Sequence, residues 1–372
     1  MTHPTSTTTD DPVRTVVDPA NSPVQTSAMP FVSIIMPVRN EEQHITSVLE
    51  CLLGQDYPHD RMEIIVADGM SSDSTRQIVS AIGDNRVHLL ENRRRIMAAG
   101  FNLGLKAARG EIIVMMGGHT QVARNYLQAS VYLLQKDDVD CVGGPISTVG
   151  ETDVARAISL AMSSRFGVGG TAFRIGCRKP KCVDTVAFGV YTRIIMERAG
   201  PLDEELVRGQ DDEFNYRLRK MGGKIVLAPE LRSRYTSRSS FHSLGRQYFQ
   251  YGYWKVRVLQ KHPRQMQLRQ FVPAAFVLCL LVSLMMAAVR PALGTFVFLA
   301  LCGSYLFATS FVSVSLASRN QWRLAPLLTL TFPVLHFSYG IGFLAGLIRF
   351  CNRWWRNQGA ALAERNPLAS RP

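Results

Sequence analysis

From Phe271 to Arg349 the chain is almost without charge, and few folds can accommodate that. Between Phe271 and Ala317 the only charged residue is Arg290, beside Pro291, and no charge falls between Arg323 and Arg349. The stretch divides into runs at 271–289, 291–317 and 324–348. At 1.5 Å per residue each run can cross, or nearly cross, a hydrocarbon core about 30 Å thick. Helices buried in a soluble domain usually keep a polar face, so these runs point to a transmembrane region over 271–348. A basic juxtamembrane segment at 256–270 precedes it, and Lys255, Arg257, Lys261, Arg264 and Arg269 lie in or beside that segment. Arg319 and Arg323 follow the second run. Two crossings from a cytosolic domain therefore satisfy the preference of basic flanks for the inside, whereas a third would strand Arg349, Arg353 and Arg356 outside. The run 324–348 is thus either a span or a re-entrant or interfacial helix, and 349–372 is a C-terminal tail.

The residues ahead of this region alternate between two periods. Phe31–Met36, Met62–Val66, Val87–Leu90, Glu111–Met115 and Asp140–Val142 are short apolar, β-branched runs that predict buried strands. Segments near 42–54, 72–83, 96–108 and 122–136 read as helices between them. Strands joined by crossover helices predict an α/β domain over 30–255, with a mainly parallel sheet and its ligand site at the carboxyl ends of the strands. Residues 1–29, rich in Thr, Pro, Ser and Asp, read as a disordered arm. Residues 164–182, with five glycines or prolines among basic residues, read as a loop, and a second α/β stretch runs from Asp184 to about Pro229.

The charged positions sit where this sheet would place a site. The first strand runs into Pro37-Val-Arg-Asn40-Glu41-Glu42, and the second into Asp68-Gly-Met-Ser71-Ser-Asp73. Carboxylates at that edge suit the N–H and hydroxyl donors of a nucleoside, although Asn40, Ser71 and Asp73 would serve equally as helix caps. The net charge of +13 implies an anionic partner without choosing among nucleotide, lipid phosphate and nucleic acid. The seven scattered cysteines fit a reduced, cytosolic domain, and Cys177 and Cys182 alone lack the further ligands of a structural zinc site.

In order, these motifs resemble the family 2 glycosyltransferases, whose GT-A fold of the nucleotide-diphospho-sugar transferases opens on a P-x-x-N-E stretch and a D-G-S-x-D turn. Asn102-Leu-Gly104, Ala107-Ala-Arg-Gly110, Asp203-Glu-Glu205 and Gln210-Asp211-Asp212-Glu213-Phe-Asn-Tyr-Arg217 extend the resemblance over about residues 31–255. Asp184-Thr-Val-Ala-Phe188-Gly189 and Arg246-Gln-Tyr248-Phe-Gln-Tyr-Gly252 are similar to a bacterial exopolysaccharide branch with C-terminal transmembrane helices, which includes a succinoglycan-biosynthesis glucosyltransferase.

The resemblance implies an inverting hexosyltransferase that moves sugar from a nucleotide diphosphate donor to a polyprenyl-diphosphate-linked saccharide in exopolysaccharide or envelope glycan assembly. It places the protein in the inner or plasma membrane as a multi-pass chain, with its catalytic domain cytosolic and nucleic acid not a partner. Transfer to another membrane lipid, or an impaired nucleotide-sugar-binding scaffold, are the alternatives.

Asp211 matches the general base that takes the acceptor hydroxyl's proton. Pro37, Glu41 and Asp68 match nucleoside positions, with Asn40, Asp73, Arg95, Gly117 and Gly118 also on the donor side. Phe188, Gly189, Asp212, Arg246 and Tyr248 fall on the acceptor or phosphate side, while Asp212 and Glu213 also suit a helix N-terminus electrostatically. The family holds Mg or Mn through Asp-x-Asp or Asp-x-His. Here the segment reads Gly117-Gly118-His119, so His119 is either the remaining metal ligand or a structural residue. Arg93–Arg95 and Arg165, Arg174, Arg178, Lys179 and Lys181 could offset lost positive charge at the phosphates, or could be solvated faces.

Overall fold

The structure, a computed structural model, describes residues 29–136, 138–236 and 240–354. Most of the expected N-terminal arm, and the tail from 355 onward with Arg356, lie outside the described residues. The chain runs β1 (Val32–Val38), α1 (Ile45–Leu53), β2 (Met62–Asp68), α2 (Thr75–Ala81), β3 (Val87–Glu91), α3 (Met97–Ala107), β4 (Ile112–Met115) and β5 (Thr120–Val122). It continues through α4 (Tyr126–Lys136), β6 (Cys141–Gly143), β7 (Ile146–Val149), α5 (Asp153–Met162), α6 (Arg165–Val168), α7 (Ala172–Ile175), β8 (Lys181–Cys182) and β9 (Val190–Thr192). Then follow α8 (Arg193–Ala199), α9 (Gln210–Lys220), β10 (Ile225–Leu227) and β11 (Ser233–Thr236), and last α10 (Phe241–Lys261), α11 (Val272–Val289), α12 (Pro291–Arg319) and α13 (Ala325–Arg349).

Eight strands form one sheet in the order β3-β2-β1-β4-β9-β6-β10-β8, and β5-β11-β7 form a small second sheet. β3, β2, β1 and β4 are parallel neighbours, whereas β9 runs antiparallel between β4 and β6. Alternation along the strands divides the core in two. Val32, Ile34, Met36, Ile64, Val66 and Val114 face one apolar layer, while Ile35, Ile65, Ile113 and Met115 face the other. With both faces covered, the apolar runs are continuous rather than alternating.

Two expectations change. The stretch 164–182 is not a bare loop: Ser164 caps α6 by accepting the Gly167 N–H at 3.0 Å, and Gly169 ends that turn at φ +61°. Cys177 and Cys182 are free thiols, and Cys177 Sγ points at the Leu227 carbonyl, 3.5 Å away. The boundary expected at 255 falls inside α10, which runs on to Lys261 because its basic residues are paired with the catalytic domain rather than solvated. Lys255 meets Asp212, Arg257 meets Glu205, and Lys261 meets Asp203.

Beneath the sheet edge away from these helices, buried Glu63 accepts from Ser33 Oγ at 2.6 Å and from Arg109 N and Nε at 2.8 and 3.0 Å. Burial works to raise its pKa, but these hydrogen bonds outweigh it and hold the carboxyl below its usual range. A depressed folded-state pKa gives stability that is present above the unfolded value and lost as pH falls through the folded one. Glu63→Gln should therefore cost about 1.5–3 kcal/mol at neutral pH and flatten the acid side of the stability profile. Chemical unfolding of the detergent-solubilised protein at neutral and acidic pH measures this, and an unchanged acid slope would refute it.

Candidate active site

The carboxyl ends of β1 and β4 and the turn after β2 open into a cleft of about 1000 Å³. Its lining includes Pro37, Glu41, Gly69, Arg95, Gly117, Gly118 and His119 at the sheet edge, together with Phe188, Gln210, Asp211 and Asp212. Tyr248, Tyr251 and Lys255 on α10 and Phe276, Tyr305, Leu335, His336 and Tyr339 of the apolar helices line it as well. A single space thus joins the sheet edge to the apolar region.

The two turns at the sheet edge are locked to each other. Asn40 N donates to Ser71 Oγ and Asn40 Oδ1 accepts from Ser72 N, both at 2.9 Å. Asp73 accepts from Thr75 and from Glu42 N. Both capping and loop-tying are therefore what Asn40 and Asp73 do. Asp68, fully buried, is occupied from within the protein: it accepts from Ser71 N at 3.0 Å and Ser71 Oγ at 2.5 Å, with Arg76 Nε 3.8 Å away. It shapes the turn, and the cleft itself is lined by the next residue, Gly69. Arg95 and Phe188, both lining the cleft, hold left-handed backbones at φ 60° and 51°. Strain of this kind gathers at functional sites.

Asp211 lies in the first turn of α9, whose N-terminal N–H groups point toward the cleft. Burial pushes its carboxyl up to about 6, helped by the neighbouring charge of Asp212 and opposed by the backbone N–H groups of the turn and by Lys255. Lys255 Nζ lies 2.5 Å from Asp212 Oδ2. Burial would lower the ammonium pKa, but Asp212, Tyr339 and Asp211 together outweigh burial and raise it. Lys255 therefore stays charged beside the two carboxylates. Glu213 stands in the first turn of α9, as the sequence reading has it. It is buried, and it accepts from Arg217 Nε at 2.8 Å and faces His262 Nε2 at 2.9 Å, tying α9 to the end of α10.

Other expected residues separate. Arg93 and Arg94 pair with Glu91 and Glu204, leaving Arg95 at the cleft. Arg165 and Arg174 line the cleft, Lys181 lines a smaller hollow beside it, and neither space is lined by Arg178 or Lys179. Arg246 is exposed on the outer face of α10, whereas Gln247, Tyr248 and Tyr251 face inward. Gly189 lies behind the wall: its carbonyl accepts from Met115 N at 2.9 Å, and an added Cβ would collide with the Tyr191 ring. Lys255 is the main residue that motif reading misses. The spacing of Gln247, Tyr251 and Lys255 at i, i+4 and i+8 is the signal that places them on one helix face.

The donor set for a divalent cation is poor. His119 Nδ1 is 3.1 Å from Glu41 Oε1, Gly117 offers no side chain, and no group of three His, Cys, Asp or Glu side chains suited to an ion occurs among the described residues. The residues present do not fit a protein-held cation. The cleft is instead basic. Arg39, Arg95, Arg165, Arg174, Arg208, Arg219, Lys255 and Arg269 line it, against Glu41, Asp184, Asp211 and Asp212. Such a lining favours an anionic ligand.

Comparison with known proteins agrees with this layout. Residues 33–193 match the model of Glycosyl transferase family 2. A dolichyl N-acetyl-alpha-D-glucosaminyl phosphate 3-beta-D-2,3-diacetamido-2,3-dideoxy-beta-D-glucuronosyltransferase of Methanococcus voltae is 28% identical over 331 residues, covering 86% of this chain and 98% of that one. The succinoglycan biosynthesis protein ExoA of Rhizobium meliloti is also 28% identical over 331 residues, covering 86% and 96%. Among solved structures, a mannosyltransferase of Pyrobaculum calidifontis in complex with GDP-Man and Mn2+ aligns at a TM-score of 0.54 and 20% identity, covering 86% of this chain and 88% of that one. With the strand order, the ordered motifs and the family match in agreement, the chain carries a Glycosyl transferase family 2 domain at residues 33–193, within a GT-A-like α/β fold followed by three apolar helices long enough to span a membrane.

Proposed function

We propose that the protein transfers a hexose, with inversion, from a nucleotide diphosphate sugar to a saccharide carried on a polyprenyl phosphate or diphosphate, at the cytosolic face of the membrane. The observation that carries this is the continuity of the cleft. The polar turns of the sheet edge, the basic side chains suited to a nucleoside diphosphate, Asp211 and the apolar helices all line this one space. Nucleotide sugars are cytosolic, and the basic flank of the helices agrees with that side. The Methanococcus and Rhizobium relatives, named for a dolichyl-linked acceptor and for succinoglycan biosynthesis, support exopolysaccharide or envelope glycan assembly as the setting.

The chemistry is a single displacement. The acceptor hydroxyl oxygen attacks the anomeric carbon, the Asp211 carboxylate takes its proton, and the bond to the donor diphosphate breaks with its electron pair leaving on the phosphate oxygen. Guanidinium groups such as Arg95 and Arg174 can meet that growing charge with bidentate hydrogen bonds. A nucleotide-sugar-binding scaffold would need no such base. The raised pKa of Asp211, at the junction of the donor and apolar halves, favours an enzyme. Product analysis of lipid extracts, from membranes supplied with a panel of labelled nucleotide sugars, tests the assignment. Absence of any labelled lipid from an active donor panel would count against it.

Asp211→Asn should keep nucleotide binding while lowering turnover by roughly 10²–10⁴. Near wild-type transfer would remove Asp211 from the mechanism, and a parallel loss of nucleotide binding would make its role structural.

Because the base must be ionised, kcat/KM should rise with pH along a limb centred near 6, the value to which Asp211 is pushed. Lys255 lowers the Asp211 pKa, so Lys255→Met should move the limb to higher pH, with activity falling more on the acidic side than on the alkaline side. A limb that stays in place in this variant, in a pH series of transfer rates, would separate Lys255 from the base.

Since the side chains present do not form a cation site, dependence on added Mg or Mn should be shallow. Gly117→Asp should lower the concentration needed, its Cβ fitting only if Thr120 and the Phe188 ring yield by a few tenths of an ångström. Titration with each cation after chelation measures both. A tight wild-type requirement that His119→Ala leaves unchanged is the contrary result.

A further inference from the structure

By length and lack of charge, α13 is as good a candidate span as α11 and α12, yet the structure holds it differently. In its most apolar window 39% of residues are buried inside the protein, against 22% for α11 and 11% for α12. Both of its ends are fastened to the catalytic domain. At the start, Arg323 Nη2 lies 3.1 Å from Asp153 Oδ1 on α5, and the turn Trp322–Leu324 packs on that helix. At the finish, Gln260 Nε2 on α10 donates to the Phe350 carbonyl at 2.8 Å, and Arg353 pairs with Glu205.

Between these ends α13 runs parallel to α10 at backbone contact. Gly252 abuts the Tyr339 carbonyl, Gly342 abuts that of Phe249, and Gly346 abuts that of Tyr253, with no space for a Cβ at any of the three. The pairing advances in step along both helices, from Gly245 beside Val334 and Ser338 to Gln260 beside Phe350. The partner helix cannot enter hydrocarbon, since Lys255, Arg257 and Lys261 are ion-paired with Asp212, Glu205 and Asp203. A 25-residue helix is about 37 Å long. Standing it across a bilayer would pull either Asp153 or the cluster around Glu205 into the apolar layer.

We propose that α13 does not cross the membrane but lies in its interface beside α10, a lipid-contacting platform under the catalytic domain, so that the chain crosses twice through the α11–α12 hairpin. This rests on the reading that the apolar helices meet lipid. The occupant of the outer face of α13 is the bilayer. Leu330, Ile341 and Ile348 are exposed on that helix, as are many apolar side chains of α11 and α12. Trp322 and Trp354, both exposed, flank its two ends beside Arg323 and Arg353, an arrangement that suits the headgroup layer. The placement also brings Arg349 and Arg353 back to the side of the catalytic domain. Leu335, His336 and Tyr339 of α13 line the cleft, so the platform forms the wall past which a lipid-linked acceptor reaches Asp211.

Native cysteines provide the test. Cys182 is exposed on the catalytic domain, Cys351 is exposed just beyond α13, and Cys141 is buried. The full-length protein in sealed inside-out and right-side-out vesicles is treated with a membrane-impermeant maleimide, and the labelled cysteines are identified by peptide mapping. Cys182 and Cys351 should label in the same vesicle orientation, and the thiol introduced by Arg290→Cys at the hairpin tip should label in the opposite one. Labelling of Cys351 from the side opposite to Cys182 would overturn the proposal, as would labelling of the Arg290→Cys thiol together with Cys182. The readout does not depend on transfer activity, so it stands or falls separately from the assigned reaction. Recovery of the protein in the soluble fraction would overturn both the membrane setting and the platform.

Discussion

Helix α10 is charged along the face that meets the catalytic domain and apolar along the face that meets α13, and the rest of the molecule is arranged around that contradiction. Its ammonium and guanidinium groups reach Asp212, Glu205 and Asp203, which fixes the helix to the loop and helix that carry Asp211. Its glycines press against the backbone of α13. An ion pair with little access to water loses much of its net stabilisation if either partner is displaced, and backbone packing through glycine tolerates no sliding. The distance between the reactive carboxylate and the apolar helices is therefore set by one rigid element. In the proposed reaction an acceptor held in lipid thus meets a base fixed relative to the apolar helices.

The parts of this design differ in how far the sequence discloses them. β1 and β2 are legible because strands covered on both faces must be apolar throughout, and the turns after them because acidic residues closing such runs are unusual. Asp211 is legible through the residues on both sides of it. Asp68 reads from sequence as a site position, but Ser71 and Arg76 take its carboxylate within the protein, and no one-dimensional pattern tells an internal partner from a ligand. Lys255 is hidden because its partner is 43 residues away and because it opens a run of basic residues that reads as a membrane flank. The orientation of α13 is the least legible of all. A helix that is apolar all round can face lipid on every side or be pressed between protein and lipid, and composition does not distinguish the two. The positive charges after it contain the only hint, and they express a preference rather than a contact.

The basic lining of the cleft has a further consequence for Asp211. A carboxylate pushed upward by burial and by a like-charged neighbour is poised to take a proton, but an incoming diphosphate adds more negative charge close by and would drive its pKa higher still. Unopposed, donor binding would protonate the base it depends on. In the proposed reaction Lys255 acts against this directly, and the arginines that line the cleft offset the charge of the diphosphate. Where a divalent cation would otherwise share that task, Gly117 leaves the side chains without a first carboxylate, and the fixed cations of the cleft take the larger part. In the proposed reaction the same guanidinium and ammonium groups thus serve two ends that a looser site would set in opposition: they hold an anionic donor, and they keep the neighbouring base ionised while it is held.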